Sequence, residues 1–313
     1  MRLHFAALLF VLLTSPLDAQ TARVTTTPAR PVRGRLLTVT VRVPEAGRVE
    51  GALAGEPLHF APPARGRVTA IAAVPIEAPD TLPLTVVVER GSSAVTRDTV
   101  VVPLAIVAGN YRTEQLRVAP EFGREPDSAL ARRIAEEGEK ARAIGVAAHG
   151  TPRLWRAPFA LPRPGRVTSG FGTARTFNGA VQTRHMGVDF AGAVGTPVRV
   201  ANRGVVALVA DFYLAGRAIY VDHGDGLVTG YFHLSRANVA EGDTVTRGQI
   251  IGRVGSTGRV TGPHLHWVMR YGGITVDPRS VFDVAGGTSK KAATAKGTKK
   301  PGPKAAAPTA KRS

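Results

Sequence analysis

The chain of 313 residues contains no cysteine, and this absence removes several kinds of chemistry at once. Without thiols there is no disulfide framework, no thiolate zinc site and no cysteine nucleophile. Any zinc site must therefore be built from imidazole and carboxylate groups. Aromatic residues make up only 6% of the chain, but 43% of its residues are hydrophobic, which argues against disorder throughout.

Long hydrophobic runs are also missing. The longest apolar run near the N-terminus covers nine residues, Phe5–Leu13, and it follows Arg2 and precedes Pro16 and Ala19. A membrane-spanning helix needs about 20 apolar residues, so this run is too short to be a membrane anchor. We predict that residues 1–19 are a cleaved secretory signal and that the mature protein is periplasmic or extracellular, with no transmembrane segment.

Acidic residues are scarce, because 23 Asp and Glu stand against 41 Lys and Arg, for a formal charge of +18. Residues 289–313 hold eight of the basic residues and no acid, which leaves 33 basic and 23 acidic residues and a charge of +10 for the rest. We predict a disordered tail over residues 285–313. Its charge favours attraction to anionic envelope polymers, and a merely solvated tail is the alternative. No specific nucleic-acid partner is expected, because the basic residues are not interleaved with aromatic ones.

The patterning of the remaining chain predicts a mainly β protein with two β regions. Alternating apolar and polar residues over 21–108, as in Leu37–Val43, predict a small β-sandwich of the immunoglobulin-like type. Apolar residues at helical spacing over 125–148 predict a helix within a linker that covers 109–164. Short Val- and Ile-rich segments broken by glycine predict a second, mostly antiparallel β domain over 165–284.

Five of the eight histidines lie between residues 185 and 266. His185 and Asp189 are four positions apart and so share one face, although such a pair alone is typical of an ordinary His–Asp hydrogen bond. His264 and His266 share one face of a strand, and Leu265 between them points the other way. Together the two pairs can supply three metal ligands and leave one imidazole free, and three protein ligands are usual for catalytic zinc.

The other histidines divide between chemical and structural roles. His233 lies in Tyr231-Phe-His-Leu-Ser235, and taken alone it can be a satisfied strand histidine. If a metal lies nearby, it becomes a candidate acid/base or oxyanion stabiliser. His223 lies in the turn sequence Asp222-His-Gly-Asp-Gly226, which favours a structural role. His59 is expected to pack in the first domain or lie on its surface.

Short motifs accompany these histidines in a fixed order. They are Thr168-Ser-Gly-Phe-Gly172, His185-Met-Gly-Val-Asp189-Phe190, Gly195-Thr-Pro-Val198, Asp222-His-Gly-Asp-Gly226, Tyr231-Phe-His-Leu234, Val245-Thr-Arg-Gly-Gln-Ile250, Gly255-Ser-Thr-Gly258 and Gly262-Pro-His-Leu-His266. In this order they resemble the lysostaphin-type (LytM-like) zinc endopeptidases of bacterial cell walls, over roughly residues 165–280. Residues 111–159 also look like the linker of secreted multi-domain members.

The resemblance implies a role for each of five residues. His185, Asp189 and His266 match the family's zinc ligands, and His233 and His264 match its two catalytic histidines. None of these positions is substituted, unlike in relatives that have lost the metal and act as amidase activators. The implied cofactor is one Zn²⁺ in the catalytic domain.

The resemblance also implies a fold and a reaction. The fold is an antiparallel β-sheet groove of the duplicated hybrid motif type, in which peptide stems of peptidoglycan lie. The reaction is hydrolysis of a cross-link peptide bond by zinc-activated water, assisted by His233 and His264. We expect the D-Ala–diaminopimelate bond to be cut. The alternative is a non-catalytic wall-binding protein or amidase activator, which holds peptide without cutting it.

Overall fold

The structure is a computed structural model, and it describes residues 22–43, 48–90, 96–179 and 181–284. The predicted signal segment at 1–19 and the predicted basic tail at 285–313 lie outside the described residues. Strands dominate the described chain, so the prediction of a mainly β protein is confirmed.

The first part of the chain forms two antiparallel sheets that share one core. Its strands are β1 (Arg23–Thr27), β2 (Leu36–Arg42), β3 (Val49–Leu53), β4 (Glu56–Pro57), β5 (Arg67–Ala73), β6 (Thr81–Arg90) and β7 (Thr96–Ala105). The strand orders are β1-β2-β5 and β4-β3-β6-β7. Alternate side chains such as Val39 and Val86 are fully buried in the common core, as the two-residue alternation predicts. The immunoglobulin-like assignment and the boundary at residue 108 stay predictions.

One strand and one long helix follow, β8 (Thr113–Leu116) and α1 (Ser128–Ala147). The side chain of Asp127 caps α1 by accepting a hydrogen bond from the backbone N–H of Leu130 at 2.8 Å. Ala141 is buried on the helix face that packs against Tyr220 and Val268 of the next sheet. The helix predicted over 125–148 is therefore present, and it lies against the back of the C-terminal sheet.

The C-terminal part is built around one large sheet. Its elements are β9 (Val167–Ser169), β10 (Ala174–Phe177), β11 (Val181–Arg184), β12 (Val188–Ala191), β13 (Pro197–Arg199), β14 (Gly204–Phe212), β15 (Gly216–Gly224), β16 (Leu227–Ala237), β17 (Thr244–Val245), β18 (Ile250–Val254), β19 (His264–Tyr271), β20 (Ile274–Val276) and α2 (Val281–Val284). The main path runs β17-β14-β15-β16-β19-β12-β9, with β13, β18 and β20 attached at its side. Every pairing in this sheet is antiparallel, and Trp267 and Tyr231 are fully buried behind it.

The stretch expected to be a linker also contributes to the C-terminal part. Strand β8 pairs in parallel with β10, which pairs antiparallel with β11, so these three strands form a small separate sheet. Leu36 and Ile71 of the N-terminal sheets pack in the same core cluster as Trp267. The sequence-based division into domains stays a prediction. The packing of Leu36 and Ile71 with Trp267 means that the proposed N-terminal and C-terminal domains share part of one core. Among the described helices, none is both long and apolar enough to cross a membrane.

Candidate active site

Two buried side chains and one partly buried side chain meet where β12 pairs with β19. Asp189 lies directly opposite His266 in that pairing, and His185 lies in the turn that leads into β12. Asp189 Oδ1 is 2.9 Å from His185 Nε2 and 2.7 Å from His266 Nδ1, and these two nitrogen atoms are 2.9 Å apart. Two imidazole nitrogens and one carboxylate oxygen therefore converge on one point, and these are ligand types that zinc accepts.

The hydrogen bonds around the cluster fit a bound cation. His185 Nδ1 donates to the carbonyl of Gly170 at 2.8 Å, so in the neutral ring Nε2 carries the lone pair. That lone pair faces Nδ1 of His266 and Oδ1 of Asp189, and a divalent cation among the three atoms would satisfy all of them. An outward hydrogen bond to a carbonyl is also the usual support of a metal-bound histidine. The residues present thus fit a metal ion.

An arginine supports the carboxylate from the other side. Arg175 Nη2 donates to Asp189 Oδ2 at 2.7 Å, and its Nε lies 3.4 Å from Glu114, which also accepts a hydrogen bond from the Ser169 hydroxyl at 3.0 Å. This pairing leaves Oδ1 of Asp189 for the two histidines. Sequence reasoning missed Arg175 and Glu114, because only the parallel pairing of β8 with β10 brings them to the site.

The ionisation states of the cluster suit metal binding. Burial works to raise the pKa of Asp189, but its contacts with His185 and His266 outweigh burial and hold that pKa well below its ordinary value. Burial lowers the pKa of His266 to about 4, although Asp189 opposes the shift. Burial, together with His266 and His264, also lowers the pKa of His233 well below its usual range. At neutral pH the carboxylate is therefore charged, and His233 and His266 are neutral.

His233 and His264 lie beside the three potential ligands. His264 Nδ1 donates to the carbonyl of Gly262 at 2.8 Å, and His233 Nδ1 donates to the carbonyl of Thr257 at 2.8 Å. The two ring centroids are 4.8 Å apart, and His264 Nε2 is 3.6 Å from Asp189 Oδ1. The structure thus brings all five residues singled out from the sequence into one cluster. Within the described ranges, the Nε2 atoms of His233 and His264 have no backbone hydrogen-bond partner.

Two backbone features at the site are not predicted by the spacing of residues in the sequence. His233 has φ 62°, in the left-handed region that non-glycine residues seldom adopt, and the pairing of β15 with β16 shifts register between Arg217 and Ile219. Such a conformation costs about 1–3 kcal/mol and is found mainly at functional sites. Gly187 is required for a different reason, because a Cβ there would lie only 2.7 Å from Cε1 of His266.

An open cleft of about 420 Å³ runs past the cluster. Glu114 and Leu116 of β8 form part of its wall, and His233, His264 and Asp189 line it from the large sheet. A smaller cavity of about 180 Å³ is lined by His185, His266 and His233. The cluster therefore lies between two cavities, and the larger has room for an extended peptide segment.

The two remaining histidines discussed above lie away from the cluster. His223 is fully buried, its Nδ1 donates to the carbonyl of Arg203 at 2.7 Å, and its Nε2 lies 2.8 Å from the Thr229 hydroxyl. His59 is partly buried and forms a 2.8 Å hydrogen bond with His149, which in turn contacts Glu56 at 2.8 Å. Both environments are structural ones, as the sequence patterns favour.

A groove on an antiparallel sheet thus carries a histidine–carboxylate cluster beside two further imidazoles, an arrangement that fits metal-assisted hydrolysis. Residues 183–278 match the model of peptidase family M23, and these residues belong to that family. The resemblance to the lysostaphin-type peptidases is thereby confirmed at the level of the family.

Named relatives agree with this assignment over part of their length. The chain is 41% identical over 117 residues to the peptidoglycan DD-endopeptidase ShyC of Vibrio cholerae, which covers 37% of this chain and 27% of the relative. It is 46% identical over 97 residues to the DD-carboxypeptidase/endopeptidase Mpg of Neisseria meningitidis, covering 31% of this chain and 22% of the relative. The chain thus spans about a quarter of the length of these curated relatives.

A solved structure from a bacterium matches most of the chain. A crystal structure from Pseudomonas aeruginosa assigned to peptidase M23 is 26% identical, with a TM-score of 0.59, and the match covers 80% of this chain and 95% of that chain. The likeness therefore extends beyond residues 183–278 into the N-terminal part of the fold.

Proposed function

We propose that this chain is an exported zinc metalloendopeptidase that hydrolyses peptide cross-links in peptidoglycan. One observation carries the proposal: His185, Asp189 and His266 present three ligand atoms to one point, and His233 and His264 stand beside that point in an open cleft. The names of the relatives from Vibrio cholerae and Neisseria meningitidis support peptidoglycan as the substrate.

Zinc would be held by Nε2 of His185, Oδ1 of Asp189 and Nδ1 of His266. When bound, zinc supplies a Lewis acid that polarises a carbonyl group and lowers the pKa of a water molecule to about 7. The chain itself supplies the positioning. Arg175 holds the second oxygen of Asp189, and the carbonyl of Gly170 fixes the ring of His185.

His233 and His264 have the geometry of an acid/base and oxyanion-stabilising pair. Each ring is fixed by a hydrogen bond from Nδ1 to a backbone carbonyl, so each presents Nε2 to the cleft. In that orientation a neutral imidazole can accept a proton at Nε2, and a protonated one can donate to the leaving amine or to a developing oxyanion. We assign these tasks to the two histidines jointly.

The domain organisation belongs to the same proposal. A signal at 1–19, a β-sandwich at 21–108, a linker at 109–164 and a peptidase domain at 165–284 make up the chain, followed by the basic tail. Strand β8 of the proposed linker supplies Glu114 and Leu116 to the cleft, so the linker completes the site. Export would place this site in contact with the peptidoglycan layer.

The test is digestion of purified peptidoglycan sacculi by the full chain, with mass analysis of the released fragments. We expect soluble fragments opened at peptide cross-links, loss of release with a chelator and its return with zinc. His185→Ala should lower the rate of release about 1,000-fold and reduce the zinc content below one per chain, because it removes a ligand. His59→Gln also removes a partly buried imidazole, but outside the cluster, and should leave both quantities unchanged.

Release by His185→Ala at the wild-type rate would contradict the proposal. Tight binding of sacculi by the wild-type protein with no release of fragments would instead identify the alternative, a non-catalytic wall-binding protein or amidase activator.

A further inference from the structure

The loop between β18 and β19 contains one arginine, Arg259, and its backbone contacts both assisting histidines. Its carbonyls at Thr257 and Gly262 accept the hydrogen bonds that fix His233 and His264. Between them lies Arg259, which lines the larger cleft together with both imidazoles. The position of Arg259 is therefore linked through one short loop to the groups that would flank the scissile bond.

The backbone of this loop is held against the turn that joins β14 to β15. Arg259 N–H donates to the carbonyl of Leu214 at 2.9 Å. Gly258 has φ 73°, and a Cβ there would lie 2.4 Å from the backbone nitrogen of Gly216. Only glycine allows this close approach, so the loop backbone is fixed directly at Arg259.

Among the described residues, no carboxylate pairs with the side chain of Arg259, although a partly buried arginine normally has such a partner. Its guanidinium lies over the ring of Phe177, with Cζ 4.2 Å from the ring centroid. The neighbouring Arg175 is paired with Asp189 and Glu114, whereas no carboxylate of the described residues forms an ion pair with Arg259. A desolvated arginine without an ion-pair partner destabilises the folded protein, unless an anion binds to it.

The charge of Arg259 persists in this position. Burial and repulsion by Arg175 lower its pKa to about 10, which still leaves the guanidinium protonated at neutral pH. The cleft thus contains a fixed cation beside His233 and His264, and its hydrogen-bond donors have no carboxylate acceptor within the described part of the chain.

We propose that Arg259 binds a substrate carboxylate attached to the carbon that bears the scissile amide nitrogen, and so selects the bond to be cut. The inference rests on the proposed function and narrows its substrate. A guanidinium binds a carboxylate through two parallel hydrogen bonds, which fixes both position and orientation.

Substrates differ in whether they carry this carboxylate. In a direct D-Ala–diaminopimelate cross-link the leaving amine lies on a carbon with a free carboxylate, and in a terminal D-Ala-D-Ala the same is true of the last residue. Inside a polyglycine bridge the corresponding carboxyl group is consumed by the next amide. Arg259 therefore favours the first two substrates and disfavours the third.

The test uses the full chain loaded with zinc and defined peptidoglycan fragments. One arm is a directly cross-linked dimer, supplied with the free carboxylate next to the scissile nitrogen or with the corresponding carboxamide. The other arm is a monomer that ends in D-Ala-D-Ala, again as carboxylate or carboxamide. The first arm reports an internal carboxylate and the second a chain-terminal one, and kcat/KM is measured for each substrate.

We expect amidation to lower the wild-type kcat/KM about 10- to 100-fold in at least one arm, as for loss of a charge-assisted pair. Arg259→Gln should lose a similar factor on the carboxylate substrate and little on the carboxamide, so that the discrimination disappears. Arg247→Gln is the matched control, because Arg247 is exposed in the turn before β18 and lines neither cavity.

Wild-type cleavage of carboxylate and carboxamide at equal rates in both arms overturns the inference, whether or not the variant folds. The inference is also overturned if Arg259→Gln lowers kcat/KM equally on the carboxylate and carboxamide substrates, because that result shows that Arg259 only holds the loop in place. Both outcomes leave the proposed function standing. Failure of the wild-type enzyme to cut any of these substrates or sacculi overturns the proposed function and this inference together.

Discussion

Two sets of buried imidazoles in this molecule differ in the atoms that face them. Both nitrogens of His223 face oxygen atoms, a backbone carbonyl and the hydroxyl of Thr229. In contrast, Nε2 of His185 and Nδ1 of His266 face each other and the carboxylate of Asp189. Burial lowers the pKa of His223 and of His266 to about 4 alike. Burial and pKa therefore do not separate a structural histidine from a candidate ligand, whereas the partner atoms do.

The partner atoms also determine what each set of imidazoles can do. At His223 one nitrogen donates to a carbonyl and the other can accept from a hydroxyl, so the neutral ring is fully satisfied. At the second set, Nε2 of His185 carries a lone pair and lies 2.9 Å from Oδ1 of Asp189, which is also an acceptor, and a cation between them removes that repulsion. Metal binding should thus involve only the second set, and protonation of His223 should affect only stability.

The largest effect that tests this comparison is expected at His264. His264→Ala should lower kcat about 1,000-fold and leave one zinc per chain, because its imidazole acts beside the ligand set. Activity on sacculi and zinc content by mass spectrometry are measured on the same preparation, with His59→Gln as the control. Loss of zinc from His264→Ala would place this residue among the ligands and break the distinction.

The sequence predicted the candidate residues better than it predicted their support. Spacings of two and four place His264 with His266 and His185 with Asp189 on shared faces, and the motif order supplied the rest through resemblance. No local sequence pattern identifies Arg175 and Glu114, because a pairing between distant strands brings them to Asp189.

The features of the fold also divide into those that local sequence patterns predict and those that they do not. Two-residue alternation predicted strands such as β2 and β6, and helical spacing predicted α1, because each depends on local periodicity. The parallel addition of β8 to β10 was not predicted, since strand order depends on contacts between distant segments. The left-handed conformation of His233 also depends on tertiary pairing rather than on its neighbours in the chain.

A smaller effect is expected from protonation of His223. Its pKa in the folded protein, about 4, is below the ordinary value of 6.5, so protons bind more strongly to the unfolded chain. Stability from this group is fully present above about pH 6.5 and is lost as the pH falls toward 4, by about 3 kcal/mol in all.

Comparison with His223→Gln isolates that contribution, because all other titrating groups are common to both proteins. The difference in free energy of unfolding between the wild type and the variant should shrink by about 3 kcal/mol between pH 7.5 and pH 4. Denaturant titrations at several pH values measure it. A difference independent of pH would mean that His223 is not held neutral by its oxygen partners.

The smallest expected effect concerns the arginine behind the candidate metal site. Arg175 donates to Asp189 Oδ2 at 2.7 Å, which orients the carboxylate so that Oδ1 faces the two histidines. Arg175→Gln should weaken zinc binding about 10-fold, as expected for a residue that positions a ligand, and competition with a chromophoric chelator measures this. Arg142→Gln is the control, since Arg142 also pairs with a carboxylate, Glu139, but on the exposed face of α1. Unchanged zinc affinity in Arg175→Gln would show that the two histidines alone orient Asp189, and that the contrast with His223 arises entirely within the three converging side chains.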